Sequence, residues 1–382
     1  MPSEASSRIP APAPATVVVC QGDETGQELL EASLRVLDSD LARSIVDYEC
    51  FDLSLENRRA TRNGVVAEAA EAMRRTGLGL KAATVTPVGS GDVGSPNRLL
   101  REGVGGSVIV RTGRRIPGVA PLAPVVHPIV VVRMAVGDAY GASEERAGTP
   151  GAVDEEAYRH ERITRGSCGA VAEFAFRNAE RLDAVVYGGP KWTVSPVYEG
   201  MLKEEMDAAA ARHPAVTYRP TLIDAAYAGL LTEAAATPLV IPAMNRDGDC
   251  LSDLVLALFG SIAGAESVLL ALDEDLEPVV AMAEAPHGTA PGLMGRDVAN
   301  PMAMLLAVAA ILDHAGLRGT PGATEAGRTV RRATLDVAAD GVRTPDLGGT
   351  ARTSEVVTEV LSRLPASSHP GVDKSMISSS RD

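Results

Sequence analysis

Two aspartates in the segment NRDGDCLSDL have the chemistry and the spacing of cation ligands. Asp249 and Asp253 lie four residues apart at a predicted helix start, so both carboxylates face the same side, one turn apart. Carboxylate oxygens of this kind favour Mg²⁺ or Mn²⁺ over zinc. The alternative is structural, because acidic residues are common in the first helical turn, where Asp247 or Asp249 would cap the N-terminus.

Other charged residues stand where side chains can reach a ligand. Asp224 interrupts the apolar run of TLIDAAYAG, as either a helix cap or a site residue. Lys191 follows the predicted strand AVVYGG, where a lysine can serve as a base, although a surface lysine is the commoner case. His287 lies in the turn EAPHGTAPG, which is typical of a surface histidine unless a ligand approaches it. Arginines that could bind carboxylates bidentately flank predicted strand and helix ends: Arg101, Arg111 and Arg133.

A glycine-rich segment, GSGDVG at residues 89–94, matches the G-x-G-x-x-G pattern of dinucleotide-binding turns. The run LKAATVTPV before it predicts a strand, and SPNRLLRE after it predicts a helix start. Arginines, among them Arg114 and Arg115, take the place of the acidic residue expected about 20 positions on, so a Rossmann interpretation would imply NADP. The segment is not in the first strand–helix unit, however, and one match to this pattern is weak evidence.

Composition limits the class of protein. The chain has 382 residues, of which 45% are hydrophobic and only 3% aromatic, so it can bury a large aliphatic core. A net charge of -14 argues against nucleic acid as the main partner. Four widely separated cysteines without a C-x-x-C pair predict a reduced, cytoplasmic setting, and no uninterrupted apolar stretch is long enough to predict a membrane span.

The order of predicted elements indicates an α/β fold. Apolar strand-like runs such as ATVVVC, SVIVR and PIVVVR alternate with amphipathic helices, which predicts a mostly parallel sheet. The Pro/Ala/Ser-rich residues 1–15 and the tail at 366–382 are predicted to be disordered. The nearly all-apolar NPMAMLLAVAAILDHAG predicts a buried helix.

Several segments together resemble the isocitrate/isopropylmalate dehydrogenase family of metal-dependent oxidative decarboxylases. The most specific are NRDGDCLSDL, EAPHGTAPGLMGRDVANP, RTPDLGGTARTSE and ERITR, and QGDETGQE resembles the family's opening segment. The resemblance covers roughly residues 16–365. It implies a two-domain fold, distinct from the Rossmann fold, with an active-site cleft between the domains. The implied domains are residues 16–102 with 260–365, which bind the cofactor, and residues 103–259, which carry the dimer interface and the metal and catalytic residues.

The resemblance also assigns roles to individual residues. It implies that Tyr140, Lys191 and Asp224 are catalytic, and that Asp224, Asp249 and Asp253 bind Mg²⁺ or Mn²⁺. The implied substrate residues are Ser95, Asn97, Arg101, Arg111 and Arg133. The implied cofactor residues are Thr86, Glu284, His287, Gly288, Thr289, Ala290, Leu293 and Asn300.

In the reaction implied by the resemblance, Lys191, directly or through Asp224, removes the proton of a 2-hydroxyl held by the metal while hydride passes to the nicotinamide. Carbon dioxide then leaves, and Tyr140 protonates the enolate carbon. The lysine and one aspartate would come from the neighbouring subunit, which implies a homodimer with shared active sites. In this family the glycine-rich segment leads to a helix whose N-terminus receives a substrate carboxylate.

Spacing within the substrate segment favours an isocitrate-like, tricarboxylate-like substrate. Ser95, Asn97 and Arg101 reproduce the S-x-N-x-x-x-R of isocitrate-specific members, whereas isopropylmalate enzymes carry an apolar residue near the serine. At the cofactor site Gly292 and Leu293 supply neither a cation for a 2′-phosphate nor an aspartate for a ribose. NAD is therefore slightly favoured, and Arg296 leaves NADP open.

Two departures from the family pattern bear on the substrate. The loop from Thr86 to Ser95 is one residue longer, and MAVGDAYG replaces a more polar segment between Arg133 and Tyr140. One interpretation is neutral drift in an isocitrate dehydrogenase. The other is a pathway-specific paralogue acting on an analogue with a changed distal anion, such as a phosphonate of the phosphonomethylmalate type in natural-product biosynthesis. A non-catalytic family member and an unrelated NADP reductase are the remaining alternatives.

Overall fold

The computed structural model describes residues 13–87, 91–232 and 237–365. Most of the predicted N-terminal arm, the whole predicted tail, and Gly89 and Ser90 of the glycine-rich segment lie outside the described residues.

The described residues form a ten-stranded sheet and a separate two-stranded ribbon. The strands are β1 Ala15–Gln21, β2 Val46–Asp52, β3 Leu78–Lys81, β4 Val108–Gly113, β5 Ile129–Met134, β6 Ser143–Ala147, β7 Glu156–His160, β8 Val185–Gly188, β9 Tyr218–Pro220, β10 Leu239–Ala243, β11 Ser267–Leu272 and β12 Pro278–Glu284.

The helices of the described residues lie along both faces of this sheet. They are α1 Glu24–Leu37, α2 Leu55–Ala60, α3 Gly64–Thr76, α4 Pro96–Gly103, α5 Arg165–Leu182, α6 Tyr198–Arg212, α7 Ile223–Gly229, α8 Asn245–Leu258, α9 Met302–Leu317, α10 Ala323–Ala339 and α11 Thr353–Ser362. Short 3-10 turns occur at Asp138–Gly141, Ile262–Gly264, Pro291–Leu293 and Pro345–Leu347.

The large sheet has the strand order β2-β1-β3-β12-β11-β4-β5-β10-β8-β9. Its two outer parts are parallel, and the antiparallel pairs β12–β11, β11–β4 and β4–β5 join them. The predicted, mostly parallel α/β fold is therefore confirmed. The strands assigned by sequence to the two domains fall into the two halves of this order, with β11 hydrogen-bonded to β4 at their junction, and the exact domain boundaries stay a prediction.

Alternation along the strands separates two sides of the sheet. On β4, Val108 faces the core that includes α1, α5, α9 and α10, whereas Ile109 faces the core formed with α3 and α4. On β10, Val240 and Ile241 divide in the same way, and Ile241 packs with α7 and α8. This period of two places each alternate side chain on the opposite face, so helices α4, α7 and α8 share one side of the sheet.

Several elements differ from the sequence prediction. The predicted strand LKAATVTPV is wrong beyond Lys81, because β3 ends there and residues 82–87 are irregular. The sequence analysis did not predict β2, whose charged residues fit an edge strand, or β11, α10 and the β6–β7 ribbon. Helix α9 is buried as predicted. Among the described helices, none has both the length and the apolar character to cross a bilayer.

Candidate active site

A cavity of about 420 Å³ opens beside the start of α4 and gathers residues from distant parts of the chain. The predicted site residues that line it are Ser95, Asn97, Arg101, Arg111, Arg133, Tyr140, Asp249, Asp253, Glu284, His287 and Gly288. The predicted residues outside its lining are Thr86, Lys191, Asp224, Thr289, Ala290, Leu293 and Asn300. Among the lining residues that the sequence analysis did not single out are Lys81, Thr84 and Arg98.

A fully buried arginine on α2 fixes the loop that carries the predicted substrate residues. The Arg58 guanidinium donates to the backbone carbonyls of Val85 at 2.5 Å and Gly94 at 3.2 Å, the two ends of the loop. Asp23 accepts a hydrogen bond from Val85 N at 2.8 Å and lies 3.9 Å from Arg58. Both ends of the loop are therefore held in place by hydrogen bonds.

The start of α4 presents polar groups to the cavity. Ser95 precedes the helix, and its side chain makes no capping hydrogen bond, so its hydroxyl is available to a ligand. The buried Asn97 Oδ1 has no partner among the described residues. The first backbone N–H groups of a helix are unpaired and favour an anion. This end of the cavity is therefore suited to a carboxylate or a similar group.

Two central strands and α8 bring the arginines to the aspartates. Arg111 on β4 and Arg133 on β5 are diagonal neighbours across the paired strands, two residues away from facing each other directly. Arg133 donates to Asn245 Oδ1 at 2.9 Å and to Asp249, and Arg111 donates to Asp253 at 3.0 Å. Gly248 is required between these groups, because a Cβ there would lie 2.8 Å from the Arg133 side chain.

The charges in this cluster depend on one another. Burial, with the nearby positive charge of Arg101, lowers the pKa of Arg133 to about 10. Burial also raises the pKa of Tyr140 to about 12, and its hydrogen bond to Asp249 at 2.5 Å contributes. Burial likewise raises the pKa of Asp253 against the opposing effect of Arg111. At neutral pH Tyr140 is therefore a protonated phenol and a potential acid.

A strained turn orients Tyr140. Gly137 has φ 75°, and a Cβ there would lie 2.8 Å from the carbonyl oxygen of Arg162, so only glycine fits. The next residue, buried Asp138, accepts hydrogen bonds from Arg246 N at 2.9 Å and from Tyr198 Oη at 3.2 Å. These bonds join the turn to α8 and α6, so Asp138 positions the tyrosine.

A buried ion pair forms another wall of the cavity. The Lys81 ammonium lies 3.1 Å from a carboxylate oxygen of Glu284, and their side chains are 1% and 16% exposed. Burial alone would raise the pKa of Glu284, but Lys81, with Arg101 and Arg111, lowers it below its usual value. In the sequence, the position of Lys81 inside the apolar run GLGLKAATV was the feature that could have indicated a buried, paired lysine.

Replacing Lys81 by methionine is expected to lower the free energy of unfolding by about 3 kcal/mol at neutral pH, since the charge of Glu284 would stay buried without a partner. Because pairing holds the pKa of Glu284 down, its stabilising contribution exists above the unfolded value and is lost as pH falls through the folded value. Urea unfolding at two pH values measures this. The matched Lys81→Met/Glu284→Gln double variant should recover most of the loss, and equal losses in the single and double variants would contradict the explanation.

His287 offers an unused nitrogen to the same cavity. Its Nδ1 donates to the carbonyl oxygen of Gly288 at 2.9 Å, so the other nitrogen, Nε2, is an acceptor, and it is buried without a partner among the described residues. Burial lowers the pKa of His287, which keeps the ring neutral. The hydroxyl of Thr84, also buried and unpartnered, lines the same cavity. Both atoms are suited to hydrogen bonds with a bound molecule.

The rest of the predicted cofactor segment lies next to this histidine along the chain. Thr25 on α1 donates to the carbonyl oxygen of Ala290 at 2.8 Å, which holds the segment against the N-terminal helix. Asn300 donates to Asp346 at 3.0 Å. Arg296 donates to the carbonyl oxygen of Gly292 at 3.2 Å and stays exposed. The two sequence motifs HGTAPG and RTPDLGG thus belong to one region.

Lys191 and Asp224 form a pair of their own, 2.5 Å apart, away from the cavity. The hydrogen bond from Lys191 lowers the pKa of Asp224. In the described part of one chain, no three His, Cys, Asp or Glu side chains come together as a metal site. Asp249 and Asp253 supply hard oxygen ligands on one cavity wall, which fits Mg²⁺ or Mn²⁺, whereas Asp224 does not join them within the chain.

Comparison with known sequences places the chain in a family. The model of isocitrate/isopropylmalate dehydrogenase matches residues 16–360. The chain is 29% identical over 358 residues to isocitrate dehydrogenase (NAD) catalytic subunit 5, mitochondrial, of Arabidopsis thaliana, covering 92% of this chain and 89% of that protein. It is also 29% identical to the 3-isopropylmalate dehydrogenase of Methanothermobacter thermautotrophicus, covering 91% and 98%. Identity to isocitrate dehydrogenase (NADP) of Thermus thermophilus is 32%, covering 78% and 58%.

Solved structures agree on the fold. Isocitrate dehydrogenase from Methylococcus capsulatus has a TM-score of 0.79 at 22% identity and covers 91% of this chain and 98% of its own. Isocitrate dehydrogenase from Ostreococcus tauri, in complex with isocitrate and magnesium(II), has a TM-score of 0.78 at 24% identity, covering 92% and 99%. The predicted fold class is confirmed, and the unrelated Rossmann reductase is excluded. The chain therefore belongs to the isocitrate/isopropylmalate dehydrogenase family, whose members oxidise and decarboxylate a small substrate with a divalent metal and NAD or NADP.

Proposed function

We propose that the chain oxidises and decarboxylates an isocitrate-like 2-hydroxy-3-carboxy acid whose third substituent is anionic. The observation that carries the proposal is the character of α4 at the cavity. The side chains that α4 and its preceding residue contribute to the lining are polar or charged, Ser95, Asn97, Arg98, Arg101 and Glu102, while Leu99 and Leu100 turn into the core. An isopropyl group would need an apolar wall here.

Arg101 strengthens this assignment. Within the described residues no carboxylate lies within 4.0 Å of its guanidinium, whereas Arg111 and Arg133 already contact Asp249 or Asp253. An arginine without an internal partner is suited to bind a substrate carboxylate bidentately. Arg111 and Arg133 would bind the remaining carboxylates once Asp249 and Asp253 are taken up by a cation.

Side chains of this protein would carry the proton transfers. A divalent cation bound by Asp249 and Asp253 would polarise the 2-hydroxyl, and NAD or NADP would accept the hydride. Lys191, directly or through Asp224, accepts the hydroxyl proton, and Tyr140 donates a proton to the carbon that carbon dioxide leaves. The raised pKa of Tyr140, which follows from burial and from Asp249, keeps its proton available through the neutral range.

Two features support a homodimer with shared active sites. Lys191 and Asp224 are outside the cavity that needs a base. All ten residues of the β6–β7 ribbon are exposed, although a ribbon of two strands is marginally stable alone. A second copy that covers the ribbon and brings Lys191 to the neighbouring cavity accounts for both.

We propose that the hydride acceptor is NAD. Gly292 offers no side chain to a ribose or a 2′-phosphate, and Leu293 is apolar. The exposed Arg296 is held by a neutral carbonyl and could serve a 2′-phosphate, so relative kcat/KM values for NAD and NADP decide between them. The cytoplasmic location stays a proposal from cysteine usage.

A second candidate substrate carries a distal phosphonate in place of a carboxylate. Arg98 favours it, because this arginine adds a further cation to the cavity wall beside Arg101. Its partner Glu102, at 3.1 Å, forms a half-exposed pair that contributes little energy. The guanidinium could therefore exchange Glu102 for a ligand of higher charge.

Formation of NADH or NADPH with Mn²⁺ tests the proposal. Isocitrate or its phosphonate analogue is expected to turn over, 3-isopropylmalate at least about 100-fold less well, and EDTA to abolish the reaction, since an unpaired buried polar site disfavours an apolar group. Efficient turnover in excess EDTA, or a preference for 3-isopropylmalate, would contradict it. No turnover of any substrate would favour the non-catalytic alternative.

The same assay on Arg98→Ala separates the two substrates. If the phosphonate is the substrate, the variant should lose more kcat/KM on the phosphonate than on isocitrate. Arg75→Ala, an exposed arginine outside the cavity, is the matched control. Equal losses on both substrates would argue against a role for Arg98 in selection.

A further inference from the structure

A second cavity, of about 600 Å³, lies on the other side of the sheet from the candidate active site. It is lined by α5, α9 and α10 and by the strands β4 and β11. Val110 and Thr112 of β4 line it, while Arg111 between them lines the first cavity. One strand therefore separates the two cavities, with alternate side chains in each.

Two arginines in this cavity lack an acidic partner. In the described ranges, no carboxylate oxygen lies within 4.0 Å of Arg181 or Arg318. The other lining arginines are paired, Arg177 with Glu277 at 3.5 Å and Arg331 with Asp313 at 2.7 Å. In a chain of net charge -14, these two guanidinium groups without an acidic partner make the cavity locally positive.

Neutral groups hold both arginines in place. Arg181 donates to Asn178 Oδ1 at 2.8 Å. Arg318 donates to the carbonyl oxygen of Val279 at 2.9 Å, and its guanidinium lies so close to Gly77 that a Cβ there would be 2.3 Å away. Each guanidinium is therefore oriented by one neutral acceptor and has several donors still free, because an arginine carries five N–H groups.

An imidazole lies near both arginines. His314 lines the cavity, and burial, followed by the charges of Arg181 and Arg318, lowers its pKa to about 4. The ring is therefore neutral at physiological pH and can give or accept a hydrogen bond without adding repulsion. The acidic residues facing the cavity, Asp313, Glu266 and Glu277, are engaged by Arg331, Arg114 and Arg177.

The remaining walls are apolar. Phe174 of α5, Val268 and Leu270 of β11, Leu276 and Leu317 line the same cavity. A site with an apolar body and a few convergent polar groups is the usual form of a small-molecule pocket, and its volume falls in the usual range.

We propose that this cavity binds a small organic anion, with its carboxylate or phosphate group on Arg181 and Arg318 and its apolar body against Phe174 and Leu270. This binding site is separate from the dehydrogenase site and does not depend on the identity of the dehydrogenase substrate. Because β4 lies between the two cavities, the bound anion would contact the strand that carries Arg111.

Isothermal titration of the full-length protein with three probes tests the proposal: hexanoate, adenosine monophosphate and inorganic phosphate. Hexanoate or the nucleotide should bind at least about tenfold more tightly than inorganic phosphate, which lacks an apolar body. Which of the two binds identifies carboxylate or phosphate as the charged group. Arg181→Gln/Arg318→Gln should weaken that probe at least about tenfold, because the charge-assisted bonds are removed.

Two comparisons make the test specific. Arg332→Gln, an exposed arginine on the same helix as Arg331, should bind the probe like the wild type. The double variant should keep the wild-type kcat when no probe is present, which shows that it folds. Any binding of a probe at the active site would be the same in all variants, so it would not account for a difference between them. Equal affinity of the double variant and the wild type for every probe, or no binding of any probe, would overturn the proposal.

Discussion

Mixed dimers that pair Lys191→Met in one chain with Asp249→Asn in the other are expected to recover about half of wild-type activity. Each variant alone should lose kcat by roughly 1,000-fold, because one lacks the base and the other a cation ligand. In each mixed dimer one of the two sites carries neither substitution, and the other carries both. Co-expression with two different tags, followed by an assay of the doubly purified fraction, measures the recovery.

The structure supplies a matched control for this experiment. Lys191 and Asp224 lie 2.5 Å apart in one chain and must enter the same site together. Mixed dimers of Lys191→Met and Asp224→Asn should therefore stay inactive, since every site would carry one substitution. Activity in this control, or no recovery in the first pair, would show that the active site is not shared as proposed.

Tyr140→Phe is expected to lower kcat by about 100-fold to 10,000-fold while one equivalent of NADH or NADPH still forms rapidly per site. Hydride transfer precedes protonation of the carbon, so the first turnover stalls after the cofactor is reduced. Phenylalanine keeps the ring beside Arg133, whose guanidinium carbon lies 5.1 Å from the ring centroid. Rapid-mixing absorbance measures the burst, and its amplitude counts the sites.

The pH dependence adds a second readout for the tyrosine. Because burial and Asp249 raise its pKa to about 12, the phenol keeps its proton in the folded enzyme up to strongly alkaline pH. Deprotonation of Tyr140 should therefore not lower the rate of the wild type anywhere in the neutral range. Tyr48→Phe, which removes an exposed hydroxyl bonded to Asp38, should leave the rate unchanged. A Tyr140→Phe enzyme with normal kcat would exclude Tyr140 as the proton donor.

Local patterns predicted the parts of the site that lie within one segment. Ser95, Asn97 and Arg101 could be assigned by their resemblance to the family's S-x-N-x-x-x-R pattern, and a single helix start presents all three. The i, i+4 spacing of Asp249 and Asp253 likewise placed both on one cavity wall. These relations depend only on helix geometry, which the sequence determines over a few residues.

Relations between distant segments could not be derived in the same way. Arg58 lies in LENRRATRN, which is typical of an exposed helix, yet it is fully buried and ties both ends of the substrate loop. Lys81 and Glu284 meet only because β3 and β12 pair in parallel, with these two residues in register. Helix α10 was not predicted, because its many arginines are typical of an exposed segment. The residues that pack on α9 are small and give only a weak apolar pattern.

The exposure of the β6–β7 ribbon implies that its folding depends on protein concentration. Its strands Ser143–Ala147 and Glu156–His160 bury no side chain of their own, so folding them gains little hydrophobic free energy within one chain. If a second copy provides the missing contacts, mass action governs the order of this segment as well as the association of the subunits. At protein concentrations low enough for the dimer to dissociate, the ribbon would then lose its structure. The active sites would lose activity over the same concentration range.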